Sequence, residues 1–150
     1  MLRLSRKTLL ALEAVLDVAY NARPDPVQSK DITRLQGIPQ RYLEQVLQSL
    51  VHRNILKGVR GPKGGYTLAR ERRRITVGDV VRVVDQLDAE AEDEPPSEAE
   101  LGEKVIKPLW TETRDALLAR LDEITMEDLC RRAESLGIEH GTRSTPDFNI

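Results

Sequence analysis

The sequence predicts a mainly α-helical fold with one small β-hairpin and a long C-terminal helix. Three observations predict it. Apolar residues recur at helical spacings of three and four through most of the chain. Two short β-type runs break that pattern, Ile55 to Arg60 and Tyr66 to Ala69, and they flank Gly61-Pro62-Lys63-Gly64-Gly65. Past residue 100, Leu101, Val105, Leu109, Leu117 and Leu121 return at multiples of four, with Trp110 and Leu118 beside them. At 150 residues the chain suits one domain with an appended element. With only 3% aromatic residues, its core must be built from Leu, Val, Ile and Ala.

Residues 5–21 read as the first helix, with Ser5 as N-cap, Leu9, Leu12, Leu16 and Ala19 as its apolar stripe, and a polar stop after Asn21. Arg23-Pro24-Asp25-Pro26 is a loop, since each proline fixes its own φ and restricts the residue before it. A short helix follows, capped by Ser29, carrying Ile32 and Leu35, and ended by Gly37. Pro39 fits the first turn of a third helix running to about Arg53, where its missing N–H costs nothing. Leu43, Val46, Leu47 and Leu50 form the buried stripe of that helix. Gln40, Arg41, Tyr42, Glu44, Gln45 and Gln48 are left on its open side.

Two short helices joined by a tight glycine-containing turn, the second with a hydrogen-bonding outer face, make a helix-turn-helix pattern. The two β-type runs form a hairpin with Arg60 and Lys63 at or near its tip, and a basic hairpin directly after such a helix is a wing. Charge agrees. The net charge of −2 hides +8 over residues 1–87 and −10 over residues 88–150. Between Arg41 and Arg74 there are 9 Lys/Arg against 2 acids, so positive charge collects on the two elements that would face DNA. The reading is a winged helix-turn-helix domain over residues 1–87.

Thr76 and Asp79 form a capping box that opens a fourth helix with the stripe Val77, Val80, Val81 and Val84. Residues 88–103 hold 8 acids, no Lys or Arg, and Pro95-Pro96, and read as a solvated acidic linker. The long helix resumes between Ser97 and Lys107 and runs to about Leu121; Pro108 either kinks it or marks the first turn of its principal part. Thr125 and Asp128 repeat the capping pattern for a last helix, which Gly137 ends, so residues 104–137 hold the long helix and the last one. Residues 138–150 read as a polar tail. The long stripe needs cover. It either packs on its own domain or pairs antiparallel with the same helix of a second chain. The second reading is preferred because a two-fold dimer supplies paired half-sites, and it makes Leu101, Val105, Leu109, Trp110, Leu117 and Leu121 dimerisation residues.

Arg3-Leu4-Ser5, Gln36-Gly37-Ile38 before Tyr42-Leu43-Glu44-Gln45, the run from Val59 to Tyr66, and Ile75-Thr76-Val77-Gly78-Asp79 occur together in order. This resembles the Rrf-two family of bacterial winged-helix transcriptional regulators, closely over residues 1–87 and loosely through Leu109-Trp110 and Ile124-Thr125. The resemblance implies a homodimer joined by the long helix and a sequence-specific operator; with the wing, the recognition helix and the charge split, the expected function is a repressor on an inverted-repeat operator. The resemblance also implies that Arg41, Tyr42, Glu44 and Gln45 contact DNA and that Arg60 enters a minor groove. The physical chemistry is consistent: Arg reads guanine bidentately, Gln reads adenine, Glu accepts from the cytosine amino group, and an Arg on a glycine hairpin is slim enough for a narrow minor groove. Lys57, Lys63 and Arg70 suit phosphates. Cluster-binding members carry three cysteines in the segment that here is Asp88 to Glu103. This chain has none there, and Lys107 stands near where such members have a histidine ligand. A family-type 2Fe–2S cluster therefore lacks its thiolates, and no cofactor is expected.

The single cysteine, Cys130, excludes an intramolecular disulfide framework and an all-cysteine metal site within one chain. It is either a small core hydrophobe on the last helix or an exposed thiol sensor. His52 and His140 do not make a zinc set with it. No triad, P-loop or paired carboxylates suggest catalysis, so a non-enzyme is expected. No apolar run approaches about 18 residues and no secretory signal opens the chain, which gives a cytoplasmic expectation with no membrane partner. A winged helix kept as a protein-interaction module is the alternative function. An effector protein, a small ligand near Trp110, or no direct signal are equally open as controls.

Overall fold

The computed structural model describes residues 5–22, 25–36, 39–91 and 99–140. The elements run α1 (Arg6–Asn21), α2 (Ser29–Gln36), α3 (Gln40–His52), β1 (Leu56–Val59), β2 (Gly65–Leu68), a 3₁₀ turn (Arg72–Arg74), α4 (Val77–Ala91), a π-helical turn (Gly102–Ile106), α5 (Lys107–Leu121) and α6 (Met126–Ser135). The fold is mainly helical with one antiparallel hairpin.

Ser5 caps α1 by accepting the Thr8 N–H at 3.1 Å. The buried face of α1 is Leu10, Ala11, Ala14, Val15 and Val18, whereas Leu9 is exposed and Leu12 and Leu16 are only half-covered. Of the expected stripe Ala19 is buried and Leu12 and Leu16 border the core, but Leu9 is not on the core face, because the small alanines that permit close helix packing carry little weight in a count of large apolar residues. Ser29 is the first helical residue of α2 rather than its cap; the Gln28 carbonyl accepts from Asp31 and Ile32. The side chain of Leu35 and all of Gly37 lie outside the described residues. Pro39 sits one place before α3, its carbonyl accepting from Tyr42 and Leu43 at 3.2 Å each.

Leu43, Val46, Leu47 and Leu50 are buried as their spacing predicts, and they meet α1, Ile32, Ile55 and Leu56 in one core. Asn54 leaves α3 at φ 61°, a left-handed conformation that Asn tolerates, and Ile55 then donates back to the Leu50 carbonyl at 3.0 Å. The hairpin register pairs Leu56 with Leu68 and Val59 with Gly65. A contact not legible in the sequence adds Val27 beside β2: Val27 and Tyr66 exchange both backbone bonds, at 2.9 and 2.7 Å. That close approach requires Gly65, since a Cβ there would lie 2.4 Å from the Val27 carbonyl oxygen. Gly65→Ala should therefore unseat the hairpin from Val27 and cost about 1–2 kcal/mol. Urea unfolding checks this, an unchanged midpoint counting against it.

The Thr76–Asp79 capping box forms, both bonds at 3.0 Å, and Val77, Val80, Val81 and Val84 are buried. The acidic linker is shorter than expected: α4 continues to Ala91, and the chain is helical again from Glu100. Acidic residues are good helix formers when the helix has a buried face to hold it. Pro108 produces no break. The π turn just before it, in which the Lys107 N–H reaches back to the Gly102 carbonyl, widens the helix where a proline ring would strike the preceding turn.

The turn after α5 is pinned to the segment before α4 by two backbone bonds of 2.8 Å, Val77 to Ile124 and Met126 to Ile75. A full capping box at Thr125 and Asp128 starts α6, and Gly137 ends it at φ 76°. The first residues after α6 are engaged rather than free: the Tyr20 hydroxyl donates to the Ile138 carbonyl, and His140 stacks on Tyr20 with centroids 3.9 Å apart.

Two carboxylates carry a pH dependence. The Arg82 guanidinium holds Asp122 below the usual carboxylate range, and the Thr125 N–H does the same for Asp128. Because the folded value lies below the unfolded one, each contributes stability above the unfolded pKa of about 3.8 and loses it as pH falls through the folded value. Asp122→Asn and Asp128→Asn should each flatten the fall of melting temperature below about pH 4. Melts across that range would reveal it; parallel curves for variants and parent would refute it.

Candidate nucleic-acid interface

The face of α3 opposite its buried stripe carries Arg41, Gln45, Gln48 and His52, at helical steps of four, three and four, all exposed. Gln40 and Glu44 flank this line on the hairpin side and share a hydrogen bond of 3.1 Å. Tyr42 is half-buried against the core, with the Lys7 ammonium 5.9 Å from its ring, so it lies at the edge of the face rather than on it.

Clefts border α3 on both sides. One, about 630 Å³, lies between Gln40, Lys30 and the hairpin residues Arg60 and Tyr66. The other, about 470 Å³, lies between Gln45, Gln48, His52 and Arg53 and the α4 residue Gln86. The helix therefore stands as a ridge, the shape required to enter a major groove of about 12 Å width. Burial first, and then the nearby Glu44 carboxylate, push the Tyr66 phenol up, keeping it a neutral hydrogen-bonding wall of the first cleft.

Arg60 sits at the tip of the hairpin, beside Gly61 at φ 109°, with the Gly64 N–H closing the turn onto the Gly61 carbonyl at 2.9 Å. The side chains of Arg41, Lys57, Arg60 and Lys63 are exposed and make no ion pair or hydrogen bond with a described residue. Several arginines elsewhere are paired with carboxylates, among them Arg72, Arg82, Arg114 and Arg120. Four unpaired cations thus stand together on α3 and the hairpin.

The Arg70 guanidinium is partly engaged: it donates to the carbonyls of Asn54 and Arg74 at 3.1 and 3.2 Å and lies 3.7 Å from Asp79, so it braces the base of the hairpin. Gln86 and Lys30 were not found from sequence, since they reach the clefts only through tertiary packing. Cys130 is fully buried, and burial pushes its thiol up, so it is the core hydrophobe and not a reactive sensor.

On α5, Leu118 is buried and Leu121 packs on the protomer's own core. The remaining stripe, Leu101, Val105, Leu109, Trp110 and Leu117, is 55–76% exposed, joined by Ile106.

A protruding polar helix with a basic hairpin beside it defines a winged helix-turn-helix protein, a class built to bind DNA. The chain belongs to the Rrf2 family, described as iron-dependent transcriptional regulators, whose pattern spans residues 4–132. It is 35% identical over 147 residues to the HTH-type transcriptional regulator IscR of Escherichia coli, covering 97% of this chain and 90% of that one. Among solved structures it resembles IscR of T. potens, with 33% identity, a TM-score of 0.71, and coverage of 92% and 93%. It also resembles CymR, the global cysteine regulator of B. subtilis, with 31% identity, a TM-score of 0.66, and coverage of 88% and 98%. The protein is a DNA-binding transcriptional regulator and not an enzyme. Among the described residues no helix is long and apolar enough to cross a membrane.

The donor chemistry does not fit a thiolate-held iron–sulfur cluster. One cysteine exists, Cys130, and it is sealed in the core on α6; the acidic segment 88–103 contains none. Among the described residues no three His, Cys, Asp or Glu side chains converge.

Proposed function

We propose that the protein works as a cytoplasmic homodimeric repressor on an inverted-repeat operator, without an iron–sulfur cluster. The observation that carries the dimer is the exposed stripe from Leu101 to Leu117, six large apolar side chains left to water on one helical segment, which is the mark of an interaction face. Antiparallel pairing of two such stripes about a two-fold axis covers both and presents two copies of α3. Gln40, Arg41, Glu44, Gln45 and Gln48 read bases, with Tyr42 at the edge of that face; Arg60 enters the minor groove, and Lys57 and Lys63 hold phosphates. An effector protein or small ligand acting on the dimer is compatible with this arrangement.

Selection of random-sequence duplexes by metal-free protein, at about physiological salt, tests the reading. An enriched inverted repeat supports it. A single half-site without symmetry removes the dimer, and no enrichment removes cofactor-independent reading. Transcription in vitro from a promoter bearing the repeat should fall on adding the protein.

A further inference from the structure

We propose that Arg82, Asp85, Arg114 and Asp122, with Gly78, are positioning residues that fix the distance between the two DNA half-sites. The proposal rests on the dimer reading above. Under that reading α5 is the arm and α1 to α4 with the hairpin are the head, so whatever sets the angle between α5 and the head sets the half-site separation.

Few groups set that angle. Of α5 only Leu118 is fully buried, and Leu121 packs against the core. The far end of α5 is a fixed pivot, held by the two backbone bonds that join Ile124 and Met126 to the segment before α4. Beside the pivot, Arg82 on α4 grips Asp122 with both nitrogens, at 2.5 and 2.8 Å. Two turns along, Arg114 on α5 reaches Asp85 on α4 at 3.0 Å. The two pairs are separated by eight residues on α5, or about 12 Å of helix, and both bridge the same two helices. One pair would leave α5 free to swing about it; two pairs along the axis define a direction.

Gly78 belongs to the same device. A Cβ there would lie 1.9 Å from an Asp122 carboxylate oxygen, so only glycine lets that carboxylate lie against the first turn of α4 and still face Arg82. Glycine in a helix costs roughly 1 kcal/mol against alanine, and all three atoms nearest a Cβ there belong to Asp122, its backbone nitrogen at 3.1 Å included.

All four charged side chains are about a third or more exposed, and exposed pairs contribute little to stability. A forked Arg–carboxylate pair is nonetheless directional. The lever is long. Leu109 lies thirteen residues from Asp122, about 20 Å along the helix. A tilt of roughly 10° displaces that point by about 3.4 Å, the rise of one base pair. Loosening the pairs should therefore blur the spacing by a base pair before it harms the fold.

The test uses the full chain and duplexes carrying the selected half-sites at their native separation and at separations changed by one and two base pairs. The parent should favour one spacing by about tenfold over its neighbours. Asp122→Asn, alone and with Arg114→Gln, should bind a single half-site within about twofold of the parent, yet prefer the native spacing by only about threefold or less. The exchanged pair Arg82→Asp with Asp122→Arg should recover the preference, which a general loss of structure would not allow. Gly78→Ala, which displaces the carboxylate without removing a charge, should act like Asp122→Asn. Variants sharing the parent's spacing profile would overturn the proposal while leaving the dimer intact. A parent that sediments as a monomer, or that binds both half-sites without regard to spacing, would overturn the dimer reading and this proposal together.

Discussion

Leu109→Glu should yield a folded monomer whose operator affinity is lower by on the order of a hundredfold or more. Leu109 is 56% exposed in the protomer, so the substitution removes nothing from the core. In an antiparallel dimer it would place two carboxylates, one from each chain, in an apolar seam. Losing the dimer turns one binding event into two independent ones, and the avidity of linked half-sites disappears. Sedimentation and operator titration measure the two effects separately, with far-UV circular dichroism to show that helicity is kept. A Leu109→Glu protein that remains dimeric would show that α5 is not the pairing surface. Leu118→Glu is the contrasting case: Leu118 is 7% exposed, so the variant should lose stability as a protomer.

The separate fates of Leu117, Leu118 and Leu121 show where sequence reading reaches and where it stops. Spacing placed all three on one long helix, and the structure agrees. It could not say which face looks inward, because a stripe that meets a partner chain and a stripe that meets its own domain have the same period. On α1 the same limit misassigned Leu9, which is exposed, while Ala11 and Ala14 are sealed. The recognition helix was legible because its code is local: four buried positions, an exposed polar remainder, and a proline before its first turn. The hairpin was legible for the same reason, since Gly61, Pro62 and Gly64 make a turn whatever surrounds them.

Non-local facts were hidden. The Val27–Tyr66 bridge joins residues 39 apart, and nothing in the composition around Val27 announces a strand. The bracing role of Arg70 is hidden too, because charge is visible in a sequence and partners are not; its bonds to Asn54 and Arg74 appear only once the hairpin has closed. The acidic segment looked like a linker from Asp88 onward because a run of like charge disfavours an isolated helix, yet α4 is anchored by its valines and carries on to Ala91.

Gln45→Ala with Arg60→Ala should lower the ratio of operator to random-duplex affinity by on the order of a hundredfold or more, each substitution contributing roughly 1–3 kcal/mol. The two side chains stand on different elements, α3 and the hairpin tip, and share no partner, so their losses should add. Their chemistry differs in a way titration can separate. Gln45 is neutral, and its removal should leave the slope of log affinity against log salt unchanged. Arg60 carries a charge into the groove, and its removal should reduce that slope by about one. Lys57→Ala and Lys63→Ala should behave in the third way: affinity falls for every duplex alike, the slope drops by about one each, and the ratio stays put. The distinction follows from geometry. Lys57 stands on β1 and Lys63 in the hairpin turn, both exposed, and neither is on the polar line of α3. A double variant at Gln45 and Arg60 that kept the parent's ratio would leave the winged-helix surface as a DNA-binding face but move the reading of sequence elsewhere on it.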